Sequence, residues 1–284
     1  MSSFAEPVPS APLERKLERL RASLAEFDEA IVAFSGGVDS SFLLRVAKDV
    51  LGRRAVALTT VSPTNPDDDT ADALALARDL DVEHVVVHAN ELEIPGYQAN
   101  PVNRCYFCKT NLYEIAEAEA VRRGIRWILD GVNLDDLGDY RPGLEAASEH
   151  RIRHPLAEAE LSKAEIRDAS RALGLRTWDR PSSPCLSSRF PYGTPITPEG
   201  LDRVSRAEKA LRAHGFRECR VRYHERLARI EVPLADLPRL LDPETREAVT
   251  RELREIGFRF VTIDLEGFRS GSLNRDLPAS VRKS

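Results

Sequence analysis

The sequence predicts an α/β protein whose parallel sheet carries helices on both faces, followed by a small α+β unit. Between residues 31 and 173, short runs rich in Val, Ile and Ala alternate with segments of helical periodicity. Such alternation is typical of βαβ units, and right-handed crossovers place the helices on both faces. The pattern breaks at residues 178–198, which hold five prolines and one glycine, so a long loop or linker is predicted there.

The first part of the chain opens with a predicted amphipathic helix, because apolar residues recur there at helical spacing. These residues are Leu13, Leu17, Leu20, Leu24 and Phe27. The predicted strands follow at 31–34, 55–61, 82–89 and 126–130. The remaining predicted helices are 41–51, 70–80, 112–123 and 161–173. Ser162 and Glu165 form a capping-box pattern at the start of the last of these helices.

The last part of the chain is predicted to form a small α+β unit of its own. Its helices are expected at 198–213 and 243–256, its hairpin at 219–223 and 228–232, and its last strand at 258–265. We therefore predict one domain over residues 1–190, with a mobile tail at 1–12, and a second over residues 191–284. The second is assigned to substrate binding or oligomerisation.

Composition narrows the class of protein. Hydrophobic residues make up 42% and charged residues 31%, which is the balance of a soluble globular protein. A net charge of −5 lowers the expectation of nucleic-acid binding, which normally needs a basic surface. No apolar run is long enough to cross a membrane, and the N-terminus lacks the apolar core of a secretion signal. Four cysteines do not make a disulfide framework, so a cytoplasmic location is expected.

The strongest chemical signal is the hexapeptide SGGVDS at residues 35–40, between a predicted strand and a predicted helix. Its glycines allow successive backbone N–H groups to converge, and a helix N-terminus adds positive potential. Both features suit a pyrophosphate. A plain glycine-rich turn is the alternative, but such a turn does not require this set of polar residues. The Gly-Lys-Ser/Thr ending of a Walker P-loop is missing.

Cysteines supply a second signal. Cys105 and Cys108 lie in NRCYFCK, and this spacing suits half of a zinc site, a redox pair or two packed cysteines. Cys185 lies in the proline-rich stretch and is followed by Arg189, a flexible and locally basic setting that favours a reactive thiolate.

Three other segments carry polar residues that suit ligands. The segment 130–143 follows a predicted strand end and holds four aspartates with Asn133 and Arg141, which suit metal and nucleotide contacts or a solvated loop. Arg220 and Arg222 alternate on a predicted strand, so they share one face and suit a phosphate monoester. The alternative for them is an exposed strand face paired with Glu225 or Glu231. The turn at 264–272 is interpreted as structural.

The hexapeptide resembles the PP-loop of the ATP pyrophosphatases. This resemblance implies cleavage of ATP between its α- and β-phosphates, with formation of an adenylate, and it implies Mg²⁺. The residues that would hold the departing pyrophosphate are Ser35, Gly36, Gly37, Asp39 and Ser40.

The order of the motifs is similar to that of one subfamily. SGGVDS, NRCYFCK, GVNLDDLGDYRPG, HPLAEAELSKAEIR, WDRPSSPCLSSRFPYGTPIT, RVR and DLEGFRSGS together resemble the LarE family of sulfur transferases of nickel-pincer nucleotide biosynthesis. The resemblance implies that pyridinium-3,5-biscarboxylic acid mononucleotide is adenylated at a carboxylate, which then becomes a thiocarboxylate. Two rounds would give the bisthiocarboxylate. It also implies a homo-oligomer.

Site roles follow from the matching motifs. The resemblance makes Cys185 the sulfur-bearing or cluster-holding residue. It makes Ser188, Arg220 and Arg222 candidates for the phosphate of the substrate, and Asn133, Asp135 and Asp136 weaker candidates near nucleotide or metal.

The LarE family has two sulfur chemistries. In one, a single cysteine gives up its sulfur and becomes dehydroalanine. In the other, three cysteines hold a [4Fe–4S] cluster with one open iron. The presence of Cys105, Cys108 and Cys185 favours the cluster. Cys219 is interpreted as a packing cysteine because no motif surrounds it.

Two other functions stay open at this point. A tRNA thiolase shares the PP-loop and can share a three-cysteine cluster, although the acidic balance disfavours it. A non-catalytic metal- or nucleotide-binding protein is the alternative outside enzymes.

Overall fold

A computed structural model describes residues 11–138, 142–269 and 275. Its larger sheet has four parallel strands in the order β3-β2-β1-β4, which confirms the predicted fold class. The strands are β1 (Ala30–Ala33), β2 (Ala55–Val61), β3 (Glu83–His88) and β4 (Trp127–Leu129). The chain runs outward from β1 to β3 and then crosses to β4 on the other side of β1. The switch in direction therefore falls between β1 and β4, where open α/β sheets bind ligands at the carboxyl ends of their strands.

Helices cover both faces of this sheet. They are α1 (Ala11–Ala25), α2 (Val38–Leu51), α3 (Asp67–Asp79), α4 (Arg104–Arg123), α5 (Pro142–Glu149), α6 (Pro155–Glu158) and α7 (Lys163–Ala172). Neighbouring residues of β1 belong to different cores because side chains alternate along a strand. Val32 lies in a core with apolar residues of α1, α2 and α7. Ile31 lies in a second core with residues of α4 and α5.

A smaller sheet has the order β5-β6-β7. Its strands are β5 (Arg220–His224), β6 (Leu227–Glu231) and β7 (Phe260–Ile263), and its helices are α8 (Pro198–Ala213), α9 (Leu237–Leu241) and α10 (Pro243–Ile256). The first two strands pair antiparallel, and β7 adds parallel to β6. One apolar core joins α8, α10 and these strands, including Phe216, Val221 and Phe258.

The chain divides into two compact units. The first contains the residues up to Ser62, Asp67–Ala89 and Cys105–Ser183. The second contains Pro63–Pro66, Asn90–Arg104 and the residues from Pro184 onward. This division is discontinuous in sequence, whereas the prediction cuts the chain once, after residue 190.

Most predicted elements are present, and the differences have local causes. The predicted strand 55–61 and the helices 198–213 and 243–256 have the predicted bounds. The predicted start of α4 at residue 112 was wrong, because the helix begins at Arg104. The short helices α5, α6 and α9 were not predicted, since four to eight residues carry too little periodicity. The tail at 1–10, Arg141 and the end of the 264–272 turn lie outside the described residues.

Two further predictions can be compared with the described residues. Ser162 accepts a hydrogen bond from the N–H of Glu165, whose side chain accepts one in return, so the capping box is confirmed. In the part of the chain that is described, no helix combines the length and the apolar character that a bilayer crossing requires.

Candidate active site

The hexapeptide forms a tight loop between β1 and α2. Its two serines meet through their hydroxyls, with 3.1 Å between the Oγ atoms of Ser35 and Ser40. The N–H of Ser35 donates to the Ser40 Oγ, and the N–H of Gly37 donates to the Ser35 Oγ, both at 3.3 Å. Gly37 is the N-cap of α2, so the first N–H groups of this helix lie at its positive end, where an anion binds favourably.

Gly36 is required by both conformation and space. Its φ is +71°, a left-handed conformation that side chains other than glycine rarely adopt. A Cβ added there would also lie 2.9 Å from the Cβ of Ala73 on α3. The loop therefore sits directly against α3.

Arg180 fixes the backbone of this loop, and the sequence analysis did not single it out. Its Nη1 donates to the carbonyl of Gly36 at 3.1 Å, and its Nη2 contacts Asp69 at 2.6 Å and Asp72 at 3.1 Å. Arg167 in turn donates to the carbonyl of Arg180 at 2.8 Å. Arg180 thus joins the loop to α3 through one guanidinium group.

Replacing Arg180 with lysine is expected to weaken ATP binding by about tenfold or more, because hydrogen bonds to charged groups are worth ~1.5–3 kcal/mol. An ammonium group cannot span the carbonyl and both carboxylates. Titration calorimetry with ATP measures the effect. Arg176→Lys is the matched control. Arg176 makes an exposed ion pair at 3.3 Å with Asp79, which lies on α3 like Asp69 and Asp72. Equal affinities in the two variants would contradict the role given to Arg180.

Asp39 is the centre of a second set of contacts at the loop. Lys163, the first residue of α7, donates from Nζ to the Asp39 carboxylate. Asn133 is buried, and its Nδ2 lies 3.4 Å from the other carboxylate oxygen. The structure therefore brings the predicted residue Asn133 to the PP-loop and adds Lys163, which sequence reasoning missed.

The two aspartates predicted near nucleotide or metal accept hydrogen bonds from backbone amides. The N–H of Lys163 donates to Asp135 at 2.8 Å, and the N–H of Asn133 donates to Asp136 at 3.1 Å. Asp135 therefore stabilises the start of α7, where a negative charge is favourable. Their contacts support a positioning role around Asn133.

Cys185 lies just before a short 3₁₀ turn, Leu186–Arg189, in the second unit. Arg189, the basic residue predicted beside this cysteine, is 1% exposed and pairs bidentately with Glu208 at 2.8 Å. Its Nη1 donates to the carbonyls of Pro184 and Cys185. The charge of Arg189 is therefore balanced by Glu208, and the arginine holds the backbone of the cysteine loop.

Residues 90–104 hold the same loop from a distant part of the sequence. The hydroxyls of Tyr97 and Ser187 lie 2.9 Å apart, and Arg104 donates to the carbonyl of Ser187 at 3.0 Å. The Nδ2 of Asn100 donates to the carbonyls of Phe190 and Pro191. These side chains are buried, so the proline-rich stretch is ordered at this point by polar contacts.

Arg220 and Arg222 lie on β5 and are both buried. Arg222 pairs bidentately with Glu231 at 2.7 and 2.9 Å and also donates to the carbonyl of Ser188 at 2.9 Å. The pairing with Glu231 that the alternative interpretation predicted is thus confirmed for Arg222. The strand face that this alternative expected to be exposed is buried. Arg220 donates to the carbonyl of Cys219 and lies over the ring of Phe268 at 4.9 Å.

Three buried arginines of the second unit are Arg189, Arg220 and Arg222, and Arg189 pairs with Glu208 while Arg222 pairs with Glu231. Burial lowers the pKa of Arg220, and the nearby charge of Arg189 lowers it further. Guanidinium groups of this kind are suitable donors for a phosphate.

The three cysteines predicted to hold a cluster are not gathered as a metal site. Within residues 11–138, 142–269 and 275, no group of three or more His, Cys, Asp or Glu side chains is arranged to hold a metal ion. Cys105 and Cys108 belong to the first unit and Cys185 to the second. Cys219 lies in the apolar core of the second unit, and burial raises the pKa of its thiol to about 12. Both features agree with its interpretation as a packing cysteine.

Comparison with known proteins gives the family. A family model described as NAD synthase matches residues 14–111, the part that contains the PP-loop. The chain is 40% identical to the pyridinium-3,5-bisthiocarboxylic acid mononucleotide synthase of Lactiplantibacillus plantarum. The 268 aligned residues cover 94% of this chain and 96% of that protein. The chain belongs to the LarE family.

Two other relatives of this LarE-family chain have no function in their names. An uncharacterised protein of Synechocystis sp. is 49% identical over 93% of the chain and 99% of its own length. Another, from Methanocaldococcus jannaschii, is 29% identical over 90% of the chain and 98% of its own length. The named synthase and the NAD synthase family model together show that the chain is an enzyme with a PP-loop. This loop supports the use of ATP.

Proposed function

We propose that the chain is an ATP-dependent sulfur transferase that acts on pyridinium-3,5-biscarboxylic acid mononucleotide. The observation that carries the proposal is the PP-loop at the start of α2, in a chain 40% identical to a named synthase. A substrate carboxylate oxygen attacks the α-phosphorus of ATP. The bond from this phosphorus to the bridging oxygen breaks, and pyrophosphate leaves with its electron pair.

The contacts around the loop support this first step. The N-terminus of α2 and Lys163 provide positive potential for the departing pyrophosphate. Asp39 is the carboxylate of the loop and suits a phosphate-bound Mg²⁺, which typically needs only one or two protein carboxylates besides phosphates and water. This cation would neutralise charge on the phosphates.

The buried guanidinium groups on β5 support a site for the substrate phosphate. Ser188, Arg220 and Arg222 are the residues predicted for it, and Arg222 already contacts the backbone of Ser188. Arg222 also holds Glu231, so Arg220 is the cleaner probe of phosphate binding.

Replacing Arg220 with methionine is expected to raise the KM for the mononucleotide about tenfold or more and to leave the KM for ATP unchanged. The melting temperature shows whether the variant is folded. Steady-state kinetics and calorimetry measure both quantities. Arg259→Met is the control, since Arg259 also lies over an aromatic ring but is exposed.

Arg222→Met should behave differently from Arg220→Met. It leaves Glu231 buried without its bidentate partner, a change that typically costs about 3–5 kcal/mol of stability.

Equal rises in the KM for the mononucleotide and the KM for ATP in Arg220→Met would contradict the role of Arg220 in phosphate binding.

Sulfur enters in the second step. A sulfide-level sulfur attacks the carbonyl carbon of the adenylate, the bond from this carbon to the phosphate oxygen breaks, and AMP leaves with the electron pair. If the sulfur is the Sγ of Cys185, the thioester then loses the Cα proton of residue 185 and the Cβ–Sγ bond breaks, which leaves dehydroalanine and the free thiocarboxylate. If the sulfur is an added sulfide, it ends directly in the thiocarboxylate. We propose that Cys105, Cys108 and Cys185 hold a [4Fe–4S] cluster, because a sacrificial Cys185 would give the other two cysteines no task. Cys105 and Cys108 lie in the first unit and Cys185 in the second.

Pyrophosphate release tests the proposed function directly. Purified protein with ATP and Mg²⁺ should release pyrophosphate only when the pyridinium mononucleotide is added, and Asp39→Ala should not release it. Release without a thiocarboxylate product under any sulfur supply would contradict sulfur transfer. A homo-oligomer, as the family resemblance implies, is also part of the proposal.

A further inference from the structure

A buried carboxylate lies at the end of β4 and takes no part in the steps above. Asp130 is 2% exposed and accepts hydrogen bonds from the Tyr113 hydroxyl at 2.7 Å and the N–H of Val132 at 3.1 Å. Nδ1 of His154 lies 2.6 Å from Oδ1 of Asp130, and Nζ of Lys109 lies 3.8 Å from Oδ2 of the same carboxylate. Burial alone would raise the pKa of Asp130, but His154, Lys109 and Tyr113 lower it to about 2.

This carboxylate sets the proton on His154. An ionised carboxylate only accepts hydrogen bonds, so Nδ1 of His154 must carry the proton that Asp130 receives. The opposite nitrogen, Nε2, has no hydrogen-bond partner among the described residues. The side chain is 21% exposed, which leaves its outer edge accessible to a small ligand.

The pair lies where the sheet topology places a ligand. Arg153 extends the sheet beside β4 by a parallel bridge with Leu129, so His154 and Asp130 follow at the same carboxyl edge. Gly131, the next residue after Asp130, packs on the PP-loop, because a Cβ added there would lie 2.9 Å from the backbone N of Ser40. This edge flanks the switch point between β1 and β4.

The charges that face His154 come from three elements. Asp130 follows β4, Lys109 and Tyr113 lie on α4, and Glu158 of α6 accepts from the backbone N–H of His154 at 3.2 Å. Glu158 is already paired bidentately with Arg153. When the ring carries both protons, Nδ1 donates to Asp130 and Nε2 is left to donate to a ligand.

We propose that His154 is part of the nucleotide site and that its Nε2 donates a hydrogen bond to a phosphate of the adenine nucleotide held by the PP-loop. Asp130 is the positioning residue that holds the ring in place. The proposal rests on the use of ATP proposed above. In this proposal, His154 adds a cationic contact to the phosphate contacts that the PP-loop provides.

The test compares two isosteric replacements. His154→Asn keeps a donor toward Asp130 and removes the group at the Nε2 position, so ATP binding should weaken about tenfold or more while adenosine binding stays the same. His154→Gln places an amide donor near the Nε2 position and should restore part of the affinity for ATP. Titration calorimetry with ATP and with adenosine gives both values, and thermal melting confirms that the variants are folded.

His150→Asn is the matched control for these replacements, since His150 also faces a carboxylate through Nδ1, that of Glu117 at 3.0 Å. Its ATP affinity should equal that of the wild type.

The outcomes separate the two proposals. Wild-type chain that does not bind ATP would contradict the proposed function. Wild-type chain that binds ATP no more tightly than His154→Asn would overturn the role of His154 and leave a purely structural pair.

Discussion

Protein in which Cys185 is replaced by alanine is expected to release pyrophosphate and to form no thiocarboxylate. The adenylate forms before sulfur enters, so the first step does not need the thiol. Pyrophosphate is measured by a coupled assay and the thiocarboxylate by mass spectrometry. Loss of pyrophosphate release in a folded Cys185→Ala variant would show that the proposed order of steps is wrong.

The fate of Cys185 after turnover separates the two sulfur chemistries. A sacrificial cysteine loses the mass of one hydrogen sulfide and becomes dehydroalanine. A cluster ligand stays intact, and anaerobically prepared protein should contain about four irons per chain and turn over repeatedly with added sulfide. Cys105→Ser and Cys108→Ser should then be inactive in sulfur transfer.

Cys219→Ala is the control for these cysteine variants. Cys219 lies in the apolar core of the second unit, so its replacement should lower stability and leave sulfur transfer intact. Dehydroalanine at position 185, together with full activity of Cys105→Ser and Cys108→Ser, would disprove the cluster and leave the adenylation step standing.

The second large effect is expected at Gly131. An alanine Cβ at this position would lie 2.9 Å from the backbone N of Ser40 and 3.2 Å from the carbonyl carbon of Asp39. Both neighbours are backbone atoms at the start of α2, so the PP-loop itself must shift. Gly131→Ala should lower the free energy of unfolding by about 1–3 kcal/mol, as overpacking does, and should weaken ATP binding severely.

Gly138→Ala is the matched control for this replacement. Gly138 ends the 3₁₀ turn of the same loop, and a Cβ added there meets no atom of the described residues within 4 Å. Its ATP affinity and its melting temperature should equal those of the wild type. Calorimetric titration of both variants with ATP gives the comparison, and unchanged ATP binding in Gly131→Ala would contradict the close contact.

The predictable part of the site was its local part. The loop at residues 35–40 is contiguous, so its glycines and serines reveal their role in the sequence itself. Lys163 contacts Asp39 across 124 residues, and Arg180 contacts Gly36 across 144. Both lie inside motifs that the sequence analysis quoted, but periodicity and spacing do not show which distant residues meet.

Burial was the other property that the sequence did not show. The alternation of Arg220 and Arg222 predicted a common face but not its burial against Glu231. Arg189 gave a similar error, because its partner Glu208 lies on α8 and has no signature apart from its place in an amphipathic helix. Charged residues are rarely buried, so a single sequence favours an exposed interpretation of each.

The discontinuity of the second unit has a consequence for synthesis on the ribosome. Tyr97 is translated 90 residues before Ser187, its buried hydrogen-bond partner. At about 5–20 residues per second, this interval lasts roughly 5–20 seconds, during which Tyr97, Asn100 and Arg104 lack the groups that they later bind. A nascent chain that stalls before residue 184 therefore exposes these side chains, and the second unit cannot close until the residues from Pro184 onward have been made.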